Sequence, residues 1–172
     1  MQRSRPQRRR TTLECAAFGI TMLGLSAALH PIPRLTWNAS ASAPIGLYGV
    51  VLHAEIKRGD LVLAALPPAA RTLAAERGYL PFDVPVVKHV AALTGDIVCT
   101  HDSIITIDSR TAAKRLAADT RGRPLPAWTG CRVLHGGQVF LLNAAPDSFD
   151  GRYFGPVERR AVLGKLVAIW TR

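Results

Sequence analysis

Residues 15–33 (CAAFGITMLGLSAALHPIP) carry no charge, and Arg3, Arg5, Arg8, Arg9 and Arg10 stand just before them. No other feature limits the chain so strongly. The run is richest in Leu, Ala and Ile between Cys15 and Leu29, and its length is near the lower limit for crossing a ~30 Å hydrocarbon core. Only Arg34 follows it closely. Basic residues favour the cytoplasmic side, which places the N-terminus in the cytoplasm and everything after residue 34 outside. Two alternatives stay open: a cleaved secretory signal with Ser26 and Ala28 as small residues near the cut, and a buried core helix. The organisation adopted is a basic cytoplasmic tail over 1–12, unfolded through residue 10, and a transmembrane anchor or uncleaved signal over 13–33. An exported domain over 34–172 follows, on the far side of that membrane.

A chain of 172 residues suits one domain plus an appendage. The net charge is +10, but the five tail arginines supply half of it. Membrane topology is sufficient reason for them, so no nucleic-acid partner is expected. Three cysteines without a C-x-x-C exclude a disulfide-dense scaffold and argue against structural zinc. Neither metal nor cofactor is expected.

The remainder reads as mainly β. Short apolar stretches at 47–53, 61–66, 86–92, 96–100, 103–108, 131–134, 138–143 and 162–170 are separated by turn signals such as Arg58-Gly59-Asp60, Thr94-Gly95-Asp96 and Gly136-Gly137. One Ala-rich segment, 69–77, stops at Gly78 and predicts a short helix. Residues 103–130 look like a lobe or hairpin insert. Many short strands so spaced indicate a closed or sandwich-like β domain.

Familiar catalytic motifs are missing: no G-x-S-x-G, no P-loop, no H-E-x-x-H. Lysine is scarce, with only Lys57, Lys88, Lys114 and Lys165 among 22 basic residues, and Lys88 interrupts the strongly apolar stretch 86–92. Burial lowers a lysine's pKa, and a neutral amine can take a proton from serine as histidine does in the usual triad. The plainer alternative is that strand alternation turns Lys88 to solvent on an edge. A serine-bearing stretch, Ser40-Ala41-Ser42-Ala43-Pro44-Ile45-Gly46-Leu47-Tyr48, directly follows the apolar run. It has the composition of a flexible stalk as well.

Three boxes in order resemble the TraF-type conjugative-transfer peptidases, a branch of the signal peptidase I superfamily. They are the serine stretch just quoted; Val87-Lys88-His89-Val90 with Gly95-Asp96 and Val98; and Ser148-Phe149-Asp150-Gly151-Arg152-Tyr153-Phe154-Gly155-Pro156, with Gly164 in the closing strand. The resemblance implies a signal-peptidase-like β domain in which Ser42 is the nucleophile, Lys88 the general base and Ser40 an oxyanion-hole hydroxyl. It gives Asp150 a supporting role. Ala43 stands where signal peptidase I has Met, and Gly151 where the third box usually has Ser. Either Ser148 or Asp150 then orients the lysine. Lys88 Nζ is expected within about 4 Å of Ser42 Oγ. Asp150 near Lys88 raises the lysine pKa, so it positions more than it activates.

The resulting expectation is a membrane-anchored serine endopeptidase that processes an exported precursor, a conjugative pilin in the family context, by cleavage and in some members by joining the ends. The contrasting reading is a non-catalytic β module of a secretion or mating-pair apparatus. A self-cleaving cytoplasmic repressor would need a DNA-reading helix that is not evident. Substrate is expected to add as a strand along Pro44–Val50 or Pro85–Ala91, against Pro44, Ile45, Leu47, Val86 and Val87. These apolar walls form shallow pockets, so the residues before the cut are expected to be small and uncharged. Cys99 and Cys131, 32 residues apart, form a disulfide in an oxidising periplasm or remain two buried thiols.

Overall fold

The computed structural model describes residues 5–28 and 33–172. The chain divides into two compact units, Met1–Pro33 and Arg34–Arg172. In the first, helix α1 spans Arg5–Ala28. The basic tail is therefore helical from Arg5, not unfolded. Arginine is a good helix former, and Pro6 sits in the first turn, where its missing N–H costs nothing. Arg10 Nε reaches Glu14 Oε1 at 3.2 Å, an i,i+4 pair that supports the same turn. Further along, Thr21 Oγ1 donates to the Ala17 carbonyl, while Leu13, Phe18, Ile20 and Leu23 are exposed. Among the described residues no helix is long and apolar enough to cross a membrane. Residues 29–32 of the expected anchor and 1–4 of the tail lie outside the described residues.

The second unit runs β1 (Leu35–Asn38), β2 (Gly46–Val51), β3 (Leu61–Ala64), α2 (Pro68–Glu76), β4 (Val86–Ala92), β5 (Ile97–His101), β6 (Ile104–Ile107), β7 (Arg110–Lys114), β8 (Gly130–Val133), β9 (Phe140–Leu142), α3 (Gly151–Phe154) and β10 (Val162–Thr171). Two sheets result, six strands in the order β1-β2-β10-β3-β4-β9 and four in the order β7-β6-β5-β8. The mainly-β class expected from the sequence is what the chain adopts. Helix α2 starts with Pro68 in its first turn, where the fixed φ is already helical.

Strand β9 joins the two sheets. Its three residues are buried, and the period of two sends Leu141 into a cluster with Val62, Val90 and Val162. Phe140 and Leu142 face the other way, into a cluster with Val98, Ile105 and Ile107 of the smaller sheet. Residues 103–130 are thus only partly an insert: β6 and β7 are half of the smaller sheet, and the following loop alone projects from it.

Two strands escaped the sequence reading. β1 is four residues long and ends in a buried asparagine. β7 (RTAAK) has little β-forming character and is brought in by a two-residue turn, Asp108–Ser109, with φ of 48° and 65°. That conformation is usually signalled by Asn-Gly or Asp-Gly.

Cys99 and Cys131 lie opposite each other on β5 and β8 and are joined by a disulfide. Closing a loop of this length contributes about 3–4 kcal/mol in the chain-entropy view. The double variant Cys99→Ala/Cys131→Ala is expected to unfold at lower urea concentration by about that free energy. An unchanged midpoint would show that the cross-link constrains nothing the sheet does not already hold.

Candidate active site

The serine stretch is not a flexible stalk, because Asn38 gathers it. From its buried place at the end of β1, Asn38 Nδ2 donates to the carbonyls of Ser40, Ala43 and Pro44 at 3.0–3.1 Å, and its Oδ1 accepts from Ser40 N–H at 3.1 Å. The Tyr48 hydroxyl donates to the Pro44 carbonyl at 2.7 Å from β2. Ser40 and Ser42 are thereby held side by side. Their hydroxyl oxygens are 3.0 Å apart, and Ser42 N–H donates to Ser40 Oγ at 3.3 Å.

Lys88 is on the inner face of β4, together with Val90, and is 5% exposed. The edge-to-solvent alternative therefore fails. Strand alternation turns Lys88 inward because its neighbours on the same face must be buried. Its ammonium donates to Ser148 Oγ at 2.6 Å. Burial brings its pKa down from the ordinary lysine value to about 8; Asp150 and Asp147 oppose that fall, and Arg152 adds to it.

The loop that carries Ser148 is stapled by a buried arginine. Arg152 donates to the carbonyls of Ala145 (2.8 Å), Ser148 (3.3 Å) and Asn143 (2.6 Å). It also pairs with Asp150 at 3.3 Å. Asp150 is fully buried and caps α3, accepting from the N–H groups of Arg152 at 3.1 Å and Asn143 at 3.0 Å. Burial pushes its carboxyl up from the usual range against the pull of Arg152, Lys88 and these two N–H groups. Asp150 does not line the site cavity. Gly151 follows for a steric reason. A Cβ there would stand 2.7 Å from the Leu141 carbonyl oxygen and from the Phe140 ring. No serine fits, and Ser148 is the hydroxyl on the lysine.

Sequence reasoning missed Asn143. Its Nδ2 donates to Ser42 Oγ and to the Val87 carbonyl, both at 3.0 Å. Its Oδ1 accepts from His89 N–H at 3.1 Å and lies 3.2 Å from His89 Nδ1. One side chain thus ties the serine to the strand bearing the lysine. The available signal was a polar residue closing the apolar stretch 138–143, but its meaning depends on β9 lying beside β4.

Ser40, Ser42, Lys88 and Ser148 line one cavity of about 760 Å³. Among the described residues no hydrogen bond joins Lys88 directly to Ser42, since the lysine's goes to Ser148. Val86 and Val87 also line the cavity, whereas Pro44, Ile45 and Leu47 do not. The expectation of an edge at 44–50 is corrected by β1, which pairs with β2 on the side away from β10. β4, by contrast, pairs with β9 only from His89 onward, so β9 does not lie beside Val86–Lys88, and Asn143 Nδ2 caps the Val87 carbonyl there. One cluster of metal-ligand types occurs among the described residues, Cys99, His101 and Cys131, but its two sulfurs are bonded to each other.

The sequence profile of the family described as signal peptidase, peptidase S26, matches residues 9–171. A conjugal transfer protein TraF of Agrobacterium fabrum is 32% identical over 162 residues, covering 89% of this chain and 88% of its own length. A plasmid transfer protein TraF of Escherichia coli is 34% identical over 146 residues, covering 78% and 81%. The crystal structure of a signal peptidase I from Enterococcus faecalis V583 is 20% identical, covers 66% of this chain and 98% of that one, and superposes with a TM-score of 0.40.

Gly151→Ala and Gly151→Ser are both expected to cost about 1–3 kcal/mol of stability, because the Cβ alone makes the overlap. Denaturant unfolding of the two variants checks this. A stable Gly151→Ser protein would show that β9 and α3 can separate to admit a side chain.

Proposed function

The chain belongs to the signal peptidase, peptidase S26, family, and we propose that it is a membrane-anchored serine endopeptidase using Ser42 and Lys88. The observation that carries the reading is the buried Lys88 amine, held on Ser148 and opening into the cavity that Ser42 also lines. With a pKa of about 8, roughly a tenth of the lysine is neutral at pH 7, against well under a thousandth at the ordinary value. Ser42 Oγ bonds to the scissile carbonyl carbon as Lys88 takes the hydroxyl proton. Lys88 then gives that proton to the departing amine as the peptide C–N bond breaks, leaving an acyl-enzyme. Water resolves it to an acid, or an amine resolves it to a new peptide bond.

In this scheme Asn143 aims the Ser42 hydroxyl. The oxyanion takes the Ser42 N–H and the Ser40 hydroxyl, which bond to each other until a substrate carbonyl displaces that contact; each donor is worth roughly 3 kcal/mol. Asp150 acts as a positioning residue through Arg152 and the Ser148 loop. The edge of β4 at Val86 and Val87, where Asn143 already takes the Val87 carbonyl, offers its remaining backbone groups to an extended substrate. The names of the relatives point to a precursor used in conjugation, and a pilin-type protein fits a peptidase of an exported domain. The arginines before the uncharged run, and the exposed apolar side chains of α1, support an inner-membrane anchor with the catalytic domain in the periplasm.

Cleavage of an internally quenched precursor peptide by the full chain in detergent tests this. The neutral lysine is the active form, so kcat/KM is expected to rise with pH through about 8 and then level off. Lys88→Arg should lose at least a thousandfold while remaining folded, because a guanidinium does not deprotonate at working pH. Near-normal cleavage by Lys88→Arg would remove the lysine from the mechanism.

A further inference from the structure

The cavity continues well beyond the serine and lysine. Away from them its walls include the apolar side chains of Leu66, Leu80, Val84, Leu116, Leu125 and Phe149, with Tyr79, Asp119, Thr120 and Tyr153 between them. About 760 Å³ is far more than the alanine-sized pockets expected from the sequence, and it falls in the range of sites that enclose a drug-sized ligand.

One wall comes from the loop after β7, and that loop is fastened on two sides. Asp119 accepts from the Tyr79 hydroxyl, from Arg123 Nε at 2.7 Å and from the N–H groups of Arg121 and Arg123. Arg123 also donates to the Arg77 carbonyl at 3.3 Å, which anchors the loop to the end of α2. On the other side, Leu116 N–H donates to the Tyr153 hydroxyl at 3.2 Å and Trp128 Nε1 donates to the Gly151 carbonyl at 3.0 Å. The polar groups of Tyr79, Asp119 and Tyr153 that reach the cavity wall are thus bonded within the protein, and the larger part of the wall is apolar. Leu116 is nevertheless 39% and Val84 44% exposed. Side chains of this kind are left open to solvent beside a catalytic cleft.

We propose that the Leu116–Leu125 loop and the segment before β4 form a recognition chamber for a bulky apolar side chain of the substrate, set apart from the scissile bond. The inference rests on the peptidase reading for the identity of its occupant. It specifies a substrate class that reading leaves open: peptides with small residues at the cut and a Leu, Ile or Phe at a distance from it. The distance follows from the edge of β4 at Val86 and Val87. Val84 precedes Lys88 by four residues, so a substrate strand lying along Val84–Val87 brings the residue roughly three or four positions from the cut into the chamber.

The test uses the full chain in detergent micelles, with Ser42→Ala to prevent turnover. Fluorescein-labelled alanine-based peptides carry a single Leu or Phe scanned over the five positions on either side of the cut, and binding is read by anisotropy. One position is expected to bind at least tenfold tighter with Leu or Phe than with Ala. Leu116→Asp, which puts a charge in the wall, and Leu116→Trp, which fills the space, should each erase that difference. A flat scan overturns the proposal, as does a preference that survives both Leu116 variants. Cleavage of the same peptides by the wild-type chain is measured separately. If none is cleaved while the binding preference and its loss in both variants hold, the peptidase reading fails and the chamber stands.

Discussion

A primary amine is buried at the end of an apolar strand face, and most of the surrounding structure follows from keeping it there without recharging it. Desolvation favours the neutral form of Lys88, and a free carboxylate nearby would undo that effect. The buried carboxylate that acts on Lys88 is Asp150. Its two oxygens are occupied by the Arg152 guanidinium and by the N–H groups of Arg152 and Asn143. Lysine therefore meets an aspartate that is largely answered by an arginine, and its nearest polar contact is the neutral hydroxyl of Ser148. The Asp–Arg pair does two jobs at once: it closes α3 and it fixes the loop that presents that hydroxyl.

The same economy explains the serine side. A turn that brings two serine hydroxyls to a cavity leaves backbone carbonyls close to buried surface, where each unsatisfied one costs about 1–3 kcal/mol. Asn38 answers several of them from one side chain. Asn143 then links that turn to β4 by bonding both Ser42 Oγ and the Val87 carbonyl. The two halves of the site come from segments about fifty residues apart, and an asparagine from a third segment sets their relative position. This arrangement also accounts for the missing direct bond between Lys88 and Ser42. In the free protein each is held by its own neighbour, and a substrate carbonyl has to enter between groups already aimed.

How much of this was legible depended on whether a residue's role was local. Ser40, Ser42, Lys88, Ser148 and Asp150 stand in short boxes whose spacing survives without the fold. Most strands were legible because Val and Ile alternate or cluster in them, as in 61–66 and 86–92. Asn38 and Asn143 were not, because an asparagine means nothing until the strands on either side of it are paired. β1 hid between the apolar run and the serines, and its absence from the sequence reading produced the error at 44–50, where an interior strand was taken for an edge. β7 hid because Asp-Ser is a weak sign of a tight turn, and the arginine-rich start of α1 because charge suggested disorder where helix propensity prevailed.

The loop between β7 and β8 shows where the fold has spent its polar groups and where it has not. A loop of about fifteen residues, nearly free of regular structure, is uncommon in a compact domain unless it has work to do. Ordering it costs on the order of 1 kcal/mol per residue in backbone entropy. Offsetting that takes the hydrogen bonds from Arg115 to the carbonyls of Trp128 and Asp102, the bonds collected by Asp119, and the short pairing of Ala118 with Pro124. Burial alone would raise the Asp119 carboxyl; the Tyr79, Arg121 and Arg123 donors outweigh it and hold the group well below the usual carboxylate range. It stays ionised at any pH at which the enzyme could work. That end of the cavity therefore has no proton to exchange. At the other end, burial brings the Lys88 pKa down to about 8, and the Ser42 hydroxyl lies between Ser40 and Asn143. On the proposed reading, proton transfer is confined to the end of the cavity that holds a readily deprotonated amine, and the other end is left to shape.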